Sequence, residues 1–453
     1  MKTVTLAAGL GFYGDSIAHV KRSVEANRPQ YVCSDHLGEL TLSILQKDRN
    51  RDGRLGYTRD LVPLMNALWP ITRNQKTRFI LNAGGLNPAG AGHALRDAFH
   101  ANGYNARIAV VEGDDVLDRL EALREHGEPL ANLDTGEAVD PVLHKFSFAN
   151  AYLGAKPLVE ALQTGADIVV TGRVADACLF LAPLIHEFGW GWDEYDKLAQ
   201  GLVVGHLLEC SGQVSGGNFG GEWESINDLA HLGYPVATVE ESGAAVIHKA
   251  AGSGGRIDFD SVRQQLLYEV NDPRAYASPD VVLDISSISL VDLGNDKVRV
   301  EGATGKPRPD RLKLVAGYPN GFMASAMLGY SWPDAMKKAK AAAAIVEAVI
   351  AESGARYDEM DISYLGFDAL HGPLSDQSLT DELNEVFLRV AVKVRDRKLA
   401  AEFGKHFPWM MVGGPPFVAA LPNSDLRELT SIWPTLVARE LVEDHVRMSM
   451  IET

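Results

Sequence analysis

From the N-terminus to about Phe180 the chain alternates short apolar runs with stretches of helical period. Val4–Ala8, Tyr31–Ser34, Arg78–Asn82, Arg107–Glu112 and Asp167–Thr171 read as strands; Ser16–Glu25, Thr58–Leu68, Gly90–Asn102, Asp115–Arg124 and Ala155–Gln163 read as the helices between and after them. That βαβαβ order predicts an α/β fold whose N-terminal part is a mostly parallel, Rossmann-like sheet with helices on both faces. A further helix is expected from about Asp193 to Glu209. Beyond Pro273 the pattern changes. Val281–Leu290, Val298–Glu301, Leu312–Ala316 and Phe322–Leu328 read as strands before an alanine-rich helix, Ala335–Ala351. Strands at Ile362–Phe367 and Val386–Val394, a helix near Lys398–Phe403 and a strand at Pro416–Leu421 follow. This succession predicts a C-terminal α+β domain of ferredoxin-like, split βαβ character. The expected division is 1–274 for an α/β ligand-binding domain and 275–453 for the α+β domain.

Parallel sheets bind ligands beyond the carboxyl ends of their strands. Those ends carry the least ordinary residues of this chain: GLGFYGD, SDHLGE, NAGGLNPAG, EGDD and TGRVAD, in strand order. Their convergence on one rim is a stronger signal than any one loop. Gly9, Gly11 and Gly14 form a G-x-G-x-x-G turn, in which missing Cβ atoms let backbone N–H groups approach an anion. Asp35 lies 21 residues past Gly14, where a dinucleotide fold places its ribose-binding acid, so NAD is a cofactor the pattern admits. Against it, Phe12 and Tyr13 put bulk into the turn, and Asp15 brings a carboxylate to the place a pyrophosphate needs. A tight β–α turn with a capped helix is the competing reading.

Several residue pairs suggest chemistry. Asp35 and Glu39, four apart across a strand end and a helix start, can bring two carboxylates to one rim, where proximity pushes one pKa up and separates an acid from a base. Helix capping accounts for the same spacing. Arg173, beside Gly172, offers a planar fork for a carboxylate or phosphate; Asp176 either fixes that fork in an internal ion pair or starts the next helix. His206 and Glu209 are i and i+3 on one helix and suit general acid–base work, with a satisfied helix-end pair as the competing reading. Lacking a second ligand cluster, they mark no metal site, and none is expected. Asn82 and Asn87 can orient a carbonyl while the N–H groups of Gly84 and Gly85 form an oxyanion site; a glycine turn with asparagine caps is the alternative. Gly216, Gly217 and Asn218, in CSGQVSGGNFGGEW, read either as a loop that approaches a ligand or as a flexible connection. There is no G-x-S-x-G, and no cysteine sits in a basic setting, which disfavours nucleophilic catalysis.

Composition narrows the partners. Lys and Arg total 43 against 60 Asp and Glu, a formal charge of −17 that repels nucleic acid and anionic membrane surfaces. No apolar run approaches the ~20 residues that span a bilayer, and the segment Met1–Ala7 lacks the basic-then-apolar order of a signal peptide, so a cytoplasmic protein is expected. Cys33, Cys178 and Cys210, odd in number and widely spaced, read as free thiols.

Six blocks in order, GLGFYGD, DHLGELTLSIL, NAGGLNP, VTGRVADA, GHLLECSGQVSGGNF and QLLYEVNDPRAY, resemble the acyclic terpene utilisation AtuA family of bacterial proteins over most of residues 3 to 320. In the fifth block the family resembles GHIIECGAQATGGNF; Ser211 and Ser215 stand here where Gly and Thr are common, and both swaps stay small. The resemblance implies a role in catabolism of branched or terpenoid acids and their thioesters, with a small carboxylate or acyl thioester, coenzyme A thioesters included, as ligand. Longer relatives carry an extra small ferredoxin-fold domain with no obvious copy here, which implies a separately encoded small ferredoxin-fold partner. A homo-oligomer is expected. The first functional expectation is a hydratase, isomerase or lyase in which Arg173 holds an anionic group and Glu39 or Glu209 moves a proton. An NAD(P)-dependent oxidoreductase, with Asp35 on a ribose and Asp15 turned away, and a non-catalytic subunit of a larger complex are the alternatives.

Overall fold

The computed structural model of the chain describes residues 2–420 and 426–453. It forms two compact units, Met1–Gly317 with Ile432–Thr453, and Tyr318–Ser431. In chain order the strands are β1 (Thr3–Ala8), β2 (Tyr31–Ser34), β3 (Arg78–Leu81), β4 (Arg107–Glu112), β5 (Phe148–Ala151), β6 (Ile168–Thr171), β7 (Val236–Glu240), β8 (Ala245–His248), β9 (Tyr276–Ala277), β10 (Val282–Asp284), β11 (Ser289–Asp292), β12 (Lys297–Glu301), β13 (Thr304–Lys306), β14 (Arg311–Ser331), β15 (Glu359–Leu365), β16 (Glu385–Val394), β17 (Val418–Ala420), β18 (Arg427–Ala438) and β19 (Arg447–Glu452). The longer helices are α1 (Ile17–Asn27), α2 (Glu39–Arg51), α3 (Leu61–Thr72), α4 (Pro88–Asn102), α5 (Leu120–Glu125), α6 (Lys156–Gln163), α7 (Cys178–Phe188), α8 (Tyr195–Glu209), α9 (Phe259–Leu267) and α10 (Ala335–Ser353).

The first unit is built on a ten-stranded sheet in the order β11-β12-β8-β7-β1-β2-β3-β6-β4-β19. The central block β1-β2-β3-β6-β4 is parallel, with Leu6 opposite Tyr31 and Cys33 opposite Ile80. Its strands β2 and β6 are buried along their whole length, as parallel strands covered on both sides require. The outer strands are all antiparallel. The sheet is therefore mixed, where the sequence pattern predicted a mostly parallel one. The cause lies in short connections: β7 turns into β8 across Gly243 (φ 90°) and β11 into β12 across Asn295 and Asp296 (φ 53° and 57°), and such tight turns can join only antiparallel strands. One consequence bears on function. In a dinucleotide fold the first strand is flanked by two parallel neighbours, whereas β1 lies between parallel β2 and antiparallel β7.

Val20 and Val24 of α1, Leu64, Met65 and Leu68 of α3, and Leu95 and Phe99 of α4 close the core over Val32, Phe79, Ile108 and Val170. These are i, i+3, i+4 positions, the apolar stripe of an amphipathic helix. The helix α7, LFLAPLI at its centre, has no such stripe because it is buried on all sides, and so escapes a periodicity reading. The expected strand Val281–Leu290 is two strands, β10 and β11, while Leu312–Ala316 and Phe322–Leu328 belong to the single strand β14.

In the second unit the sheet runs β15-β16-β14-β17, all pairs antiparallel. Ala339, Ala342, Ala343 and Val346 of α10 share a core with Ala326 of β14 and Leu388 and Val390 of β16; the small alanines permit close approach. The strand expected at Pro416–Leu421 is β17, and Leu421 lies outside the described residues. Among the described residues no helix is long and apolar enough to cross a membrane.

Candidate functional site

A cavity of about 750 Å³ opens in the first unit beyond the carboxyl ends of β1, β2, β5 and β6. Gly11 and Phe12 follow β1, Asp35 and Glu39 follow β2, Tyr152 follows β5, and Arg173 and Asp176 follow β6. Glu209 and Cys210 at the end of α8, the segment Tyr268–Ser278 in part, and Lys313 of β14 complete the wall.

Arg173 is 2% exposed. Its Nη1 donates to the Val174 carbonyl at 2.9 Å and to the Asp176 carboxylate, while its Nε is buried with no hydrogen-bond partner. The guanidinium lies over the Tyr152 ring, 3.9 Å from its centre, and Lys313 Nζ lies 4.7 Å from the same ring. Such stacking holds a planar cation face-on and leaves its edge for a ligand. Tyr152 Oη donates to Glu39 Oε1 at 2.8 Å, and Lys313 Nζ donates to the same oxygen at 2.9 Å. Partial burial works to raise the Glu39 pKa, but the bond and charge of Lys313 outweigh it and hold the carboxyl down at about 2. Glu39, at the first turn of α2, is thus an ionised anchor for a tyrosine and a lysine.

Asp35 is 7% exposed. Its Oδ1 accepts from Asn82 Nδ2 at 2.5 Å and from the Leu37 N–H at 3.1 Å, an Asx turn; the residue preceding α2 is Gly38, so Asp35 is not the helix cap. Burial, reinforced by the neighbouring Asp176 charge, pushes the Asp35 carboxyl well above its ordinary range, against the opposing pull of Arg173 and Asn82. Burial thus favours the protonated form of this carboxyl. Glu39 is paired instead with Tyr152 and Lys313.

Glu209 is 6% exposed and its Oε1 lies 2.9 Å from His206 Nδ1, on the helical face that their i, i+3 spacing shares. Burial raises the Glu209 carboxyl to about 7, although His206 pulls it down. Burial pulls His206 down, but the charge and hydrogen bond of Glu209 prevail and raise it. His206 Nε2 is buried without a partner. Among the described residues no group of three or more His, Cys, Asp or Glu is arranged to hold a metal ion.

A family model described as acyclic terpene utilisation family protein AtuA matches residues 4–448. The chain belongs to the AtuA family. Neither a curated protein nor a solved structure matches it. Five of the six AtuA-like sequence blocks reach the cavity wall, and the sixth, NAGGLNP, supports it from behind through Asn82.

Other glycine and amide positions in those blocks serve the protein's own backbone. Gly11 N–H donates to Asp15 Oδ2 at 2.9 Å and Gly14 N–H to Asp60 Oδ2 at 3.0 Å, so two amides of the glycine turn already meet carboxylates. A Cβ on Gly9 would stand 2.5 Å from Ser34 Cβ, which makes that glycine a packing requirement. Gly84 N–H donates to the Thr171 carbonyl and Gly85 N–H to the Asn82 carbonyl, removing both donors from an oxyanion site. Asn82 Oδ1 accepts from the His36 N–H at 2.6 Å, and Asn87 caps α4 by accepting from the Gly90 N–H at 2.9 Å. Gly216 N–H and Gly217 N–H donate to the carbonyls of Gln213 and Gly212 within the loop, and the Asn218 carbonyl accepts from Gln264 Nε2 of α9, which ties the loop to that helix. Gly172 adjoins Asp114. None of these except Gly11 lines the cavity.

Two cavity residues carry no sequence signal of their own. Tyr152 follows the strand FANA, whose alanines and asparagine have low strand propensity. Lys313 occupies an exposed position of an alternating strand, where a lysine is ordinary. Tyr276 lies in the recognised block QLLYEVNDPRAY; its aromatic ring stands 6.1 Å from that of His206.

Proposed function

We propose that this AtuA-family protein is an enzyme that binds a branched or terpenoid carboxylic acid, or its thioester, in this cavity and moves a proton on the acyl chain, as a hydratase, isomerase or lyase does. The observation that carries the reading is the buried Glu209–His206 pair, 2.9 Å apart, whose Glu209 lines the same cavity as a buried arginine with an unpartnered Nε. Arg173 would hold the carboxylate or polarise the thioester carbonyl, stabilising the negative charge that grows on oxygen when a carbon loses its proton. Glu209 would take that proton, with His206 sharing it. Asp35, whose protonated form burial favours, would return one elsewhere on the acyl group. Tyr152, Glu39, Lys313 and Asp176 position these groups. Leu37, Leu202, Leu312 and Leu436 give the wall an apolar side suited to a branched chain.

The fold supports this reading more than the oxidoreductase alternative. The glycine turn has its Gly11 and Gly14 amides on Asp15 and Asp60, and β1 lacks a parallel neighbour on one side. The parallel central block with helices packed on it supports a Rossmann-like reading, without the dinucleotide strand order. In the second unit, the order β17-β14-β16-β15 with α10 after the first chain strand supports a ferredoxin-like reading.

The test is hydrogen exchange at carbon. 3-Methylbutanoate and 3,7-dimethyloctanoate, free and as coenzyme A thioesters, are incubated with the protein in D2O and followed by NMR. Replacement of a C2 proton by deuterium, lost in Glu209→Gln, is the expected result. Binding without exchange would favour the non-catalytic subunit, and no binding of any of the four would overturn the proposal.

A further inference from the structure

Asp114 lies in the loop EGDD after β4, is 2% exposed and does not line the cavity. Its Oδ2 accepts from the backbone N–H of Arg173 at 2.8 Å and from Asn150 Nδ2 at 2.8 Å. Its own carbonyl accepts from the Ala151 N–H, also at 2.8 Å. One residue thus clasps the ends of β6 and β5 at the points where they release Arg173 and Tyr152, the two partners of the stack in the cavity. The neighbouring glycine makes room for it: a Cβ on Gly172 would lie 2.3 Å from Asp114 Oδ1. A carboxyl group taken out of water for two hydrogen bonds is a poor source of stability, because its desolvation penalty is several kcal/mol.

From this we infer that Asp114 is a positioning residue that fixes Arg173 against Tyr152 from behind the cavity. The bonds have different roles. The side-chain bond to the Arg173 N–H sets where that residue leaves β6. The side-chain bond to Asn150, beside the backbone bond from Ala151, sets where the ring of Tyr152 begins, so loss of the Asp114 side chain, which removes the first and second of these, shifts one partner of the stack relative to the other. Gly172 belongs to the same device, since any side chain there displaces the carboxyl. The inference rests on the proposed function only in taking Arg173 as the group that meets the ligand.

Two readouts test it on the whole protein. The first needs no ligand. In 15N-labelled protein the Arg173 Hε resonance is identified by its loss in Arg173→Lys, and the ring current of Tyr152 displaces it, as Tyr152→Leu would show. Asp114→Ser and Gly172→Ala should return that resonance toward the ordinary arginine position, whereas Asp114→Asn, which keeps an oxygen acceptor for the Arg173 N–H, should retain most of the displacement. The second is the dissociation constant for 3-methylbutanoate by calorimetry, expected to rise at least tenfold in Asp114→Ser and Gly172→Ala and less than threefold in Asp114→Asn. An unmoved Arg173 Hε in a folded Asp114→Ser or Gly172→Ala protein overturns the inference, as does an Asp114→Asn variant as impaired as Asp114→Ser. If the wild-type protein binds no 3-methylbutanoate, the choice of ligand falls while the resonance test still decides the role of Asp114.

Discussion

The Arg173 guanidinium carbon lies 3.9 Å from the centre of the Tyr152 ring. A cation on an aromatic face gains up to about 2 kcal/mol when desolvated, and a planar guanidinium gains orientation as well. Tyr152→Phe keeps the ring and removes the hydroxyl that donates to Glu39. Affinity for a bound carboxylate, measured by calorimetry, should then change by less than about threefold, whereas Tyr152→Leu should weaken it about tenfold or more, the equivalent of about 1.4 kcal/mol. Equal effects of the two substitutions would show that the hydroxyl, and not the stack, organises the site.

Proton exchange at carbon should follow the ionisation of Glu209. A base works in its deprotonated form, so the rate should rise with pH, pass its midpoint at about 7 and level off above. Glu209→Gln should lower the rate by about 10²-fold or more. The charge and hydrogen bond of His206 lower the Glu209 pKa, so His206→Gln should move the midpoint upward. A midpoint that moves downward, or a flat profile in the wild-type protein, would remove Glu209 from the role of base.

Charged residues at strand ends were the legible part of this site. Asp35, Glu39, Arg173 and Asp176 stand where a parallel strand meets its loop, and Glu209 stands at a helix end beside a glycine loop; all five reach one cavity. Tyr152 and Lys313 were not legible, because they meet the site through pairing of β5 with β14, strands more than 150 residues apart, which no local pattern encodes. The glycines misled for a related reason. Gly84 lets its loop pass the Thr171 carbonyl, Gly85 makes room for Leu45 and the Gly56 carbonyl, and Gly172 makes room for the Asp114 carboxyl, and the same composition would serve an anion. The antiparallel flanks of the large sheet escaped because β7 and β8 are joined by a tight turn at Gly243 and stand outside the strand–helix alternation that marks the central block.

The glycine turn makes a prediction of its own. A Cβ on Gly11 would stand 2.9 Å from the backbone carbon of Cys210 and 3.0 Å from the carbonyl oxygen of Glu209, neither of which can swing aside. Gly11→Ala should therefore lower stability by about 1–3 kcal/mol in urea unfolding and depress exchange by displacing Glu209. Asp15→Ala should leave the Gly11 N–H without its acceptor, at a loss of about 1–3 kcal/mol. If instead NAD or NADP raised the melting temperature of Asp15→Ala above that of the unliganded variant, the turn would be a nucleotide site held shut by Asp15.

Stability should fall as pH rises from about 5 to about 8. Burial raises the folded-state pKa of Asp114 to about 7 and of Glu209 to about 7, and that of Asp35 well above its ordinary range, while in the unfolded chain all three titrate near 4. The folded protein then retains protons that the unfolded chain has released, so each group favours folding most below pH 4 and loses that contribution as pH climbs through its folded value. Asp114 has one charged neighbour of the same sign, Asp115, which works in the same direction. Glu39 is the opposite case, depressed to about 2 by Lys313; its contribution disappears only as pH falls below about 4.5, outside the range tested. Urea unfolding at pH 5, 6.5 and 8 should show the wild-type free energy declining, by at most about 1.4 kcal/mol per pH unit for each group. Asp114→Asn removes one of these titrations, so its free energy should gain on the wild-type value as pH rises. Parallel curves for the two proteins would mean that Asp114 is not protonated in the folded state, and that its bonds to Arg173 and Asn150 hold it ionised.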